Sequence, residues 1–236
     1  MIGVLVNTIT VIVGSCVGLL LKKGIPQRLT SAIMLGIGLC TIYIGIDGMM
    51  AGENTLVLIV SMVLGALVGT GLDLDGKIQA LGGWMERRFN RDSSENDTGR
   101  VSLAQGFVTA SLLFCVGSMT IVGSLNAGIS GDNEMLLTKS LLDLISSSML
   151  AASLGLGVLL SAVFVLVFQG ALVLLASFLA PFLTTAAIAE LTCCGSVLIL
   201  ALGLNLIGLT KIKVADYLPA LVFVPFLSWA LGFLPI

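Results

Sequence analysis

Charged residues are missing from long stretches of this chain. Eight mostly apolar runs, at roughly 3–21, 31–50, 55–74, 103–126, 135–152, 154–180, 186–209 and 216–235, alternate with more polar connections. A helix that crosses the hydrocarbon core of a bilayer needs about 20 such residues. The pattern predicts an all-α fold: a polytopic transmembrane helix bundle of about eight spans with internal repeated helix hairpins, forming one transmembrane domain over 1–236. Composition agrees, because 57% of residues are hydrophobic and only 10% charged, whereas water-facing surface brings a soluble domain to about a quarter. The fifth run carries Lys139 and Asp143, and the sixth is long enough that it must tilt or project. Residues 135–180 form two full spans or, with the same parity, a broken hairpin that turns at Ala151–Gly157.

The basic residues orient the bundle. Under eight spans, Lys22, Lys23 and Arg28, then Lys77, Arg87, Arg88, Arg91 and Arg100, then Lys211 and Lys213 all fall on one side. Basic loops stay cytoplasmic, so the chain is expected in the cytoplasmic (cell) membrane as a multi-pass protein with both termini outside. The opposite side carries Glu53, Asp132, Glu134 and Glu190, with Lys139 as its one basic residue. No basic segment precedes the first apolar run, which argues against a cleaved signal peptide. Residues 75–102 read as a cytoplasmic interfacial helix and loop. Ile78, Leu81, Met85 and Phe89 recur at helical spacing beside Trp84, flanked by Glu86, Arg87 and Arg88, and the polar stretch Asn90–Gly99 follows.

Residues 30–54 and 109–133 align without a gap. Thr30/Thr109, Gly38/Gly117, Thr41/Thr120, Ile42/Ile121, Gly52/Gly131 and Asn54/Asn133 match, and Asp47 pairs with Asn126. Both segments run from inside to outside, as in parallel repeats of transporters. An ancestral duplication with no surviving functional symmetry would leave the same trace. The pairs Gly14/Gly18 and Gly65/Gly69 allow close helix approach. They are assigned to packing within one subunit, a homo-oligomer being the other use of such a surface.

Polar side chains inside apolar runs are costly and ask for a role. Lys139 and Asp143 stand at i and i+4 on one helix face, continued by Ser146 and Ser147, with Ser140 two turns before Ser147. This stripe reads as a polar pathway or pocket, or else as a buried pair that fixes helix register. Asp47 and Asn126, at corresponding repeat positions, could be paired oxygen ligands for a cation or ordinary interfacial polarity. Gln169 falls near the middle of the sixth run, Glu190 in the expected first turn of the seventh, Asn7 in the outer part of the first and Asn205 near the inner end of the seventh. A solvated helix start accounts for Glu190, a bond to a neighbouring helix for Gln169, and solvation for Asp73 and Asp75. Together Lys139, Asp143, Ser147, Asp47, Asn126, Gln169, Glu190, Asn7 and Asn205 form the candidate solute or ion pathway.

Other classes are excluded or unsupported. Histidine is absent, which removes Ser-His and Cys-His dyads and the commonest transition-metal ligand. Cys16, Cys40, Cys115, Cys193 and Cys194 lie in apolar runs without a CxxC pair and read as small hydrophobes. No catalytic set, metal site or cofactor is expected. No P-loop appears, so the chain alone cannot run on ATP. A net charge of −2 suggests no nucleic-acid partner. The expected partners are the lipid bilayer and a small solute or ion.

The order of motifs resembles the prokaryotic YqgA/YdfK-like integral membrane proteins, a family defined by a domain of unknown function. The resemblance rests on LLLKKGIPQRL, LGALVG at 64–69, SLLFCVGSMTIVGSLNAGISGD at 111–132, TKSLLDLISSSMLAASLGLGV at 138–158, Gln169-Gly170 and ALGLNLIGLTKIKVADYLPAL at 201–221. It covers essentially the whole chain and implies a cytoplasmic-membrane protein, without implying a substrate. The segment Leu191–Gly195 departs from the Ala- and Gly-rich stretch expected there. A transporter or channel for a small solute or ion, not ATP-driven by itself, is the function these residues favour. A non-transporting membrane scaffold or accessory subunit is the alternative.

Overall fold

The computed structural model describes residues 1–22, 27–80, 102–116, 118–181 and 183–231, and among these there is no β-strand. The helices are α1 (Ile2–Lys22), α2 (Gln27–Met49), α3 (Thr55–Gly71), α4 (Leu74–Ala80), α5 (Leu103–Cys115), α6 (Ser118–Ile129), α7 (Glu134–Leu154), α8 (Leu156–Leu174), the single turn α9 (Ala176–Leu179), α10 (Thr185–Leu206) and α11 (Ala220–Leu231), the last preceded by a 3-10 turn at Val214–Tyr217. Side-chain caps start three of them. Asn54 accepts from the N–H groups of Leu56 and Val57, Ser102 from Gln105, and Thr184 from Ala187.

Helices α1, α7, α8 and α10 are each long and apolar enough to cross a membrane, and six spans result if α3–α4 and α5–α6, bent by 53° and 59°, each count as one. The apolar parts of α2 and α11, within Leu35–Met49 and Val214–Ala230, are shorter. Residues 135–180 therefore hold two full-length helices rather than a broken hairpin. Gly155, at φ 80°, turns the chain between them, a conformation that glycine adopts without steric cost. The expected sixth run ends early, at Leu174, and α9 follows instead of a projecting helix. The two aligned segments differ in shape, since α2 is continuous where α5 and α6 are separate. Of the expected interfacial element, the part up to Ala80 is helical, and residues 81–101 lie outside the described residues.

Small residues set the packing. A Cβ on Gly14 would collide with Ser147 and Leu144, and one on Gly18 with Ser148, so α1 lies against α7 in parallel. Gly38 meets Ile207 and Gly48 meets Ser196, which makes α2 antiparallel to α10. Gly65 and Gly69 abut Ala220 and Asp216, bringing α3 against α11 and the turn before it. Both Gly-x-x-x-Gly pairs thus serve contacts inside one chain.

Helix α7 shows how the bundle is solvated. Leu137, Leu141, Leu142, Ile145 and Met149 are exposed, whereas Lys139, Ser140, Asp143 and Ser147 are buried. Water would favour the reverse, so the outward face is built for lipid. Val11, Phe114, Leu150, Leu154 and Val158 form an apolar core from α1, α5, α7 and α8.

Candidate functional site

The 3.6-residue period of α7 places Leu136, Lys139, Ser140, Asp143 and Ser147 on its inward stripe. Lys139 Nζ pairs with Asp143 Oδ2 across one helical turn, and both residues are buried. Asn7 of α1 reaches the same place, and its Nδ2 donates to Gln169 Oε1 of α8 at 3.2 Å. The Asn7 side chain also lies beside that of Asp143. Three helices thus bring together one polar chain of neighbouring side chains, Lys139, Asp143, Asn7 and Gln169. Asn7 and Gln169 are fully buried, and Asn7 Oδ1 and Gln169 Nε2 have no partner. Unsatisfied amide atoms at such depth cost roughly 1–3 kcal/mol each.

The break between α5 and α6 lies beside this chain. The Lys139 ammonium sits 5.9 Å from the centroid of the Phe114 ring, in the range of a cation–π contact. Cys115 is close enough to feel both Lys139 and Asp143 electrostatically. The Val116 N–H still reaches Leu112 O at 2.8 Å, but Val116 itself is extended, at φ −94° and ψ 90°. The carbonyl of Phe114 is taken by the Thr120 hydroxyl at 2.9 Å. Backbone that departs from a helix at membrane depth survives where protein groups satisfy it, and Thr120 does so here.

The remaining expected residues lie elsewhere. Ser147 is one turn along α7, with its hydroxyl bonded to Leu144 O at 3.1 Å at the α1 contact, whereas Ser146 points outward. Asp47 is exposed on α2 and Asn126 is half-buried on α6. No polar contact joins these two among the described residues. Asn205 ties the α10–α11 connection, donating to Ile212 O and accepting from Thr210 and the Ile212 N–H.

Glu190 is not a solvated helix start. Thr184 caps α10, so Glu190 lies beyond the first turn and is only 4% exposed. Its Oε1 accepts from the N–H groups of Glu53 and Asn54, both at 2.7 Å, and its Oε2 is buried without a partner. Asp75 is likewise more than solvated. Its N–H donates to Asp216 Oδ1 at 2.9 Å, and burial, then the nearby Asp216 charge, push its carboxyl above the usual carboxylate range. Asp216, almost wholly buried, escaped the sequence reading because no spacing marks it. Asp75 borders a cavity of about 390 Å³ whose polar lining also includes Gln79, Gln105, Asn205, Lys211 and Lys213.

Comparison with known proteins places this arrangement. The family described as "Protein of unknown function (DUF554)" matches residues 2–229. The chain is similar to the uncharacterized membrane protein YdfK of Bacillus subtilis (strain 168), at 34% identity over 95% of this chain and 94% of the relative. It is also similar to the uncharacterized protein YqgA of Escherichia coli (strain K12), at 30% identity over 97% of each. No solved structure matches.

Proposed function

The chain belongs to the DUF554 family of proteins of unknown function, and on that footing we propose that it is a non-enzymatic membrane transporter or channel for a small solute or ion, not driven by ATP on its own. The observation that carries this reading is the polar chain Lys139–Asp143–Asn7–Gln169, buried between three helices beside a helix break. A helix interrupted at such a site is how many transporters place backbone groups against a solute.

The proposal includes eight crossings of the cytoplasmic membrane with both termini outside. It is supported by the one-sided basic loops and by which connections meet. The Gly3 N–H donates to Asn133, and Glu190 holds Glu53 and Asn54, all from ends assigned outside. Asp75 meets Asp216, and Leu103 lies against Gly157, all from ends assigned inside. We also assign residues 30–54 and 109–133 to an ancestral duplication whose second copy acquired the break.

A second reading has its own observation. Lys139 and Asp143 touch directly and are buried, as they would be in a scaffold or accessory subunit where the pair fixes helix register. Flux through proteoliposomes separates the two. Under the transport reading, a gradient of protons, sodium or small metabolites dissipates faster than in protein-free vesicles, and Asp143→Asn abolishes the increase. If nothing moves and Asp143→Asn alters only stability, the scaffold reading stands.

A further inference from the structure

We propose that the buried cluster takes a small zwitterion, an ammonium and a carboxylate held a few bonds apart as in glycine or alanine, which exchanges the Lys139–Asp143 contact for two contacts with the solute. The inference rests on the transport reading and names its substrate class.

Charge comes first. The site holds one buried cation and one buried anion, adjacent on one helix face. A lone anion drawn to Lys139 would be forced against Asp143, and a lone cation at Asp143 against Lys139. Like charges at ~4 Å repel by about 4 kcal/mol even at an effective dielectric of 20. A zwitterion avoids both, because its carboxylate meets Lys139, its ammonium meets Asp143, and the site stays neutral with every charge paired. Whatever opens the intramolecular pair must replace both partners at once, since one buried charge left alone is strongly unfavourable.

The orphaned amide atoms point the same way. One is an acceptor, Asn7 Oδ1, and the other a donor, Gln169 Nε2. A solute with N–H donors and carboxylate acceptors satisfies one with each end. This does not depend on which way the amides are placed. Exchanging oxygen and nitrogen in both residues keeps the Asn7–Gln169 bond and again leaves one donor and one acceptor. The Phe114 ring, now facing Lys139, adds an aromatic face to the same locus.

The test uses the full-length protein in detergent and in proteoliposomes, with glycine, alanine and β-alanine as zwitterions. Methylammonium and acetate are the single-charge controls, alone and together, and sodium chloride is the ionic control. Zwitterions should raise the thermal midpoint and exchange across the vesicle membrane, whereas the controls should not. Gln169→Leu leaves the ion pair in place and should weaken zwitterion binding about tenfold or more. The double variant Lys139→Met/Asp143→Leu replaces the pair with apolar groups, so it should fold yet show no response. A response to acetate or methylammonium equal to that for glycine overturns the inference, as does an undiminished response in the double variant. Ion flux without any zwitterion response overturns it while leaving the transport reading in place. Absence of every flux and every response removes both.

Discussion

Two of the buried carboxylates in this bundle, Asp143 and Glu190, are held by different means. Asp143, within α7, is held by a side chain, the ammonium of Lys139, with the Asn7 side chain beside it. Glu190, toward the N-terminal end of α10, is held by backbone, the N–H groups of Glu53 and Asn54. Backbone donors in the α2–α3 connection are fixed by the fold and cannot leave without unfolding that loop. Side-chain partners can turn away and accept another ligand. The difference separates a group that fastens two helix ends from one able to exchange partners, although both are buried acids in apolar helices.

The sharpest way to break this contrast is to remove one charge from the exchangeable region. Asp143→Asn leaves Lys139 buried without its partner, which should cost about 3–5 kcal/mol. Lys139→Met/Asp143→Leu should be close to neutral in stability, because apolar groups of similar volume suit the same place. Unfolding in mixed micelles, followed by circular dichroism, reads both. If the single and double variants lose the same stability, the two residues do not act as a pair.

Glu190 should respond more locally. Glu190→Ala removes an acceptor shared by two N–H donors and should cost roughly 1.5–3 kcal/mol, as hydrogen bonds to charged groups do. Glu190→Gln keeps one acceptor oxygen and should cost less. Hydrogen exchange at the amides of Glu53 and Asn54 should accelerate in the Ala variant while peptides of α7 stay unchanged. Faster exchange across α7 would mean that the two regions are coupled rather than distinct.

The two regions also differ in how well the sequence announced them. The i, i+4 spacing of Lys139 and Asp143 put both on one helix face, and their charge in an apolar run marked that face as inward, which is where the structure places it. Asn7 and Gln169 were visible only as separate anomalies, because they stand 162 positions apart and no local pattern joins them. The break after Cys115 was hidden, since the run at 103–126 contains no proline and reads as one apolar helix. Glu190 was misassigned because one position in the helix start decides whether it falls in the first turn, and the loop that buries it comes from α2 and α3. Helix existence follows from local hydropathy. Which polar groups meet depends on close helix approaches that Gly14, Gly18 and Gly48 permit.

Asp75 offers the smallest effect and a third kind of environment, beside the cavity beyond the C-terminal end of α3. Its partners are mixed. Asp216 and Asp73 disfavour its charge, Gln79 and Lys213 favour it, and burial disfavours it most. The folded protein therefore holds this proton more tightly than the unfolded chain. Stability from this group is fully present below the ordinary carboxylate pKa and is lost as pH rises through the raised folded value, because the unfolded chain binds fewer protons across that window. Asp75→Asn keeps an oxygen for Gln79 but carries no charge. It should raise the thermal midpoint by a degree or two near neutral pH, on the order of a few tenths of a kcal/mol for a partly exposed group, and the gain should vanish in acid. Melting curves of both proteins between pH 3 and 8 test this. A gain that persists unchanged at pH 3 would assign the effect to packing at the α3–α4 bend rather than to the carboxylate beside Asp216.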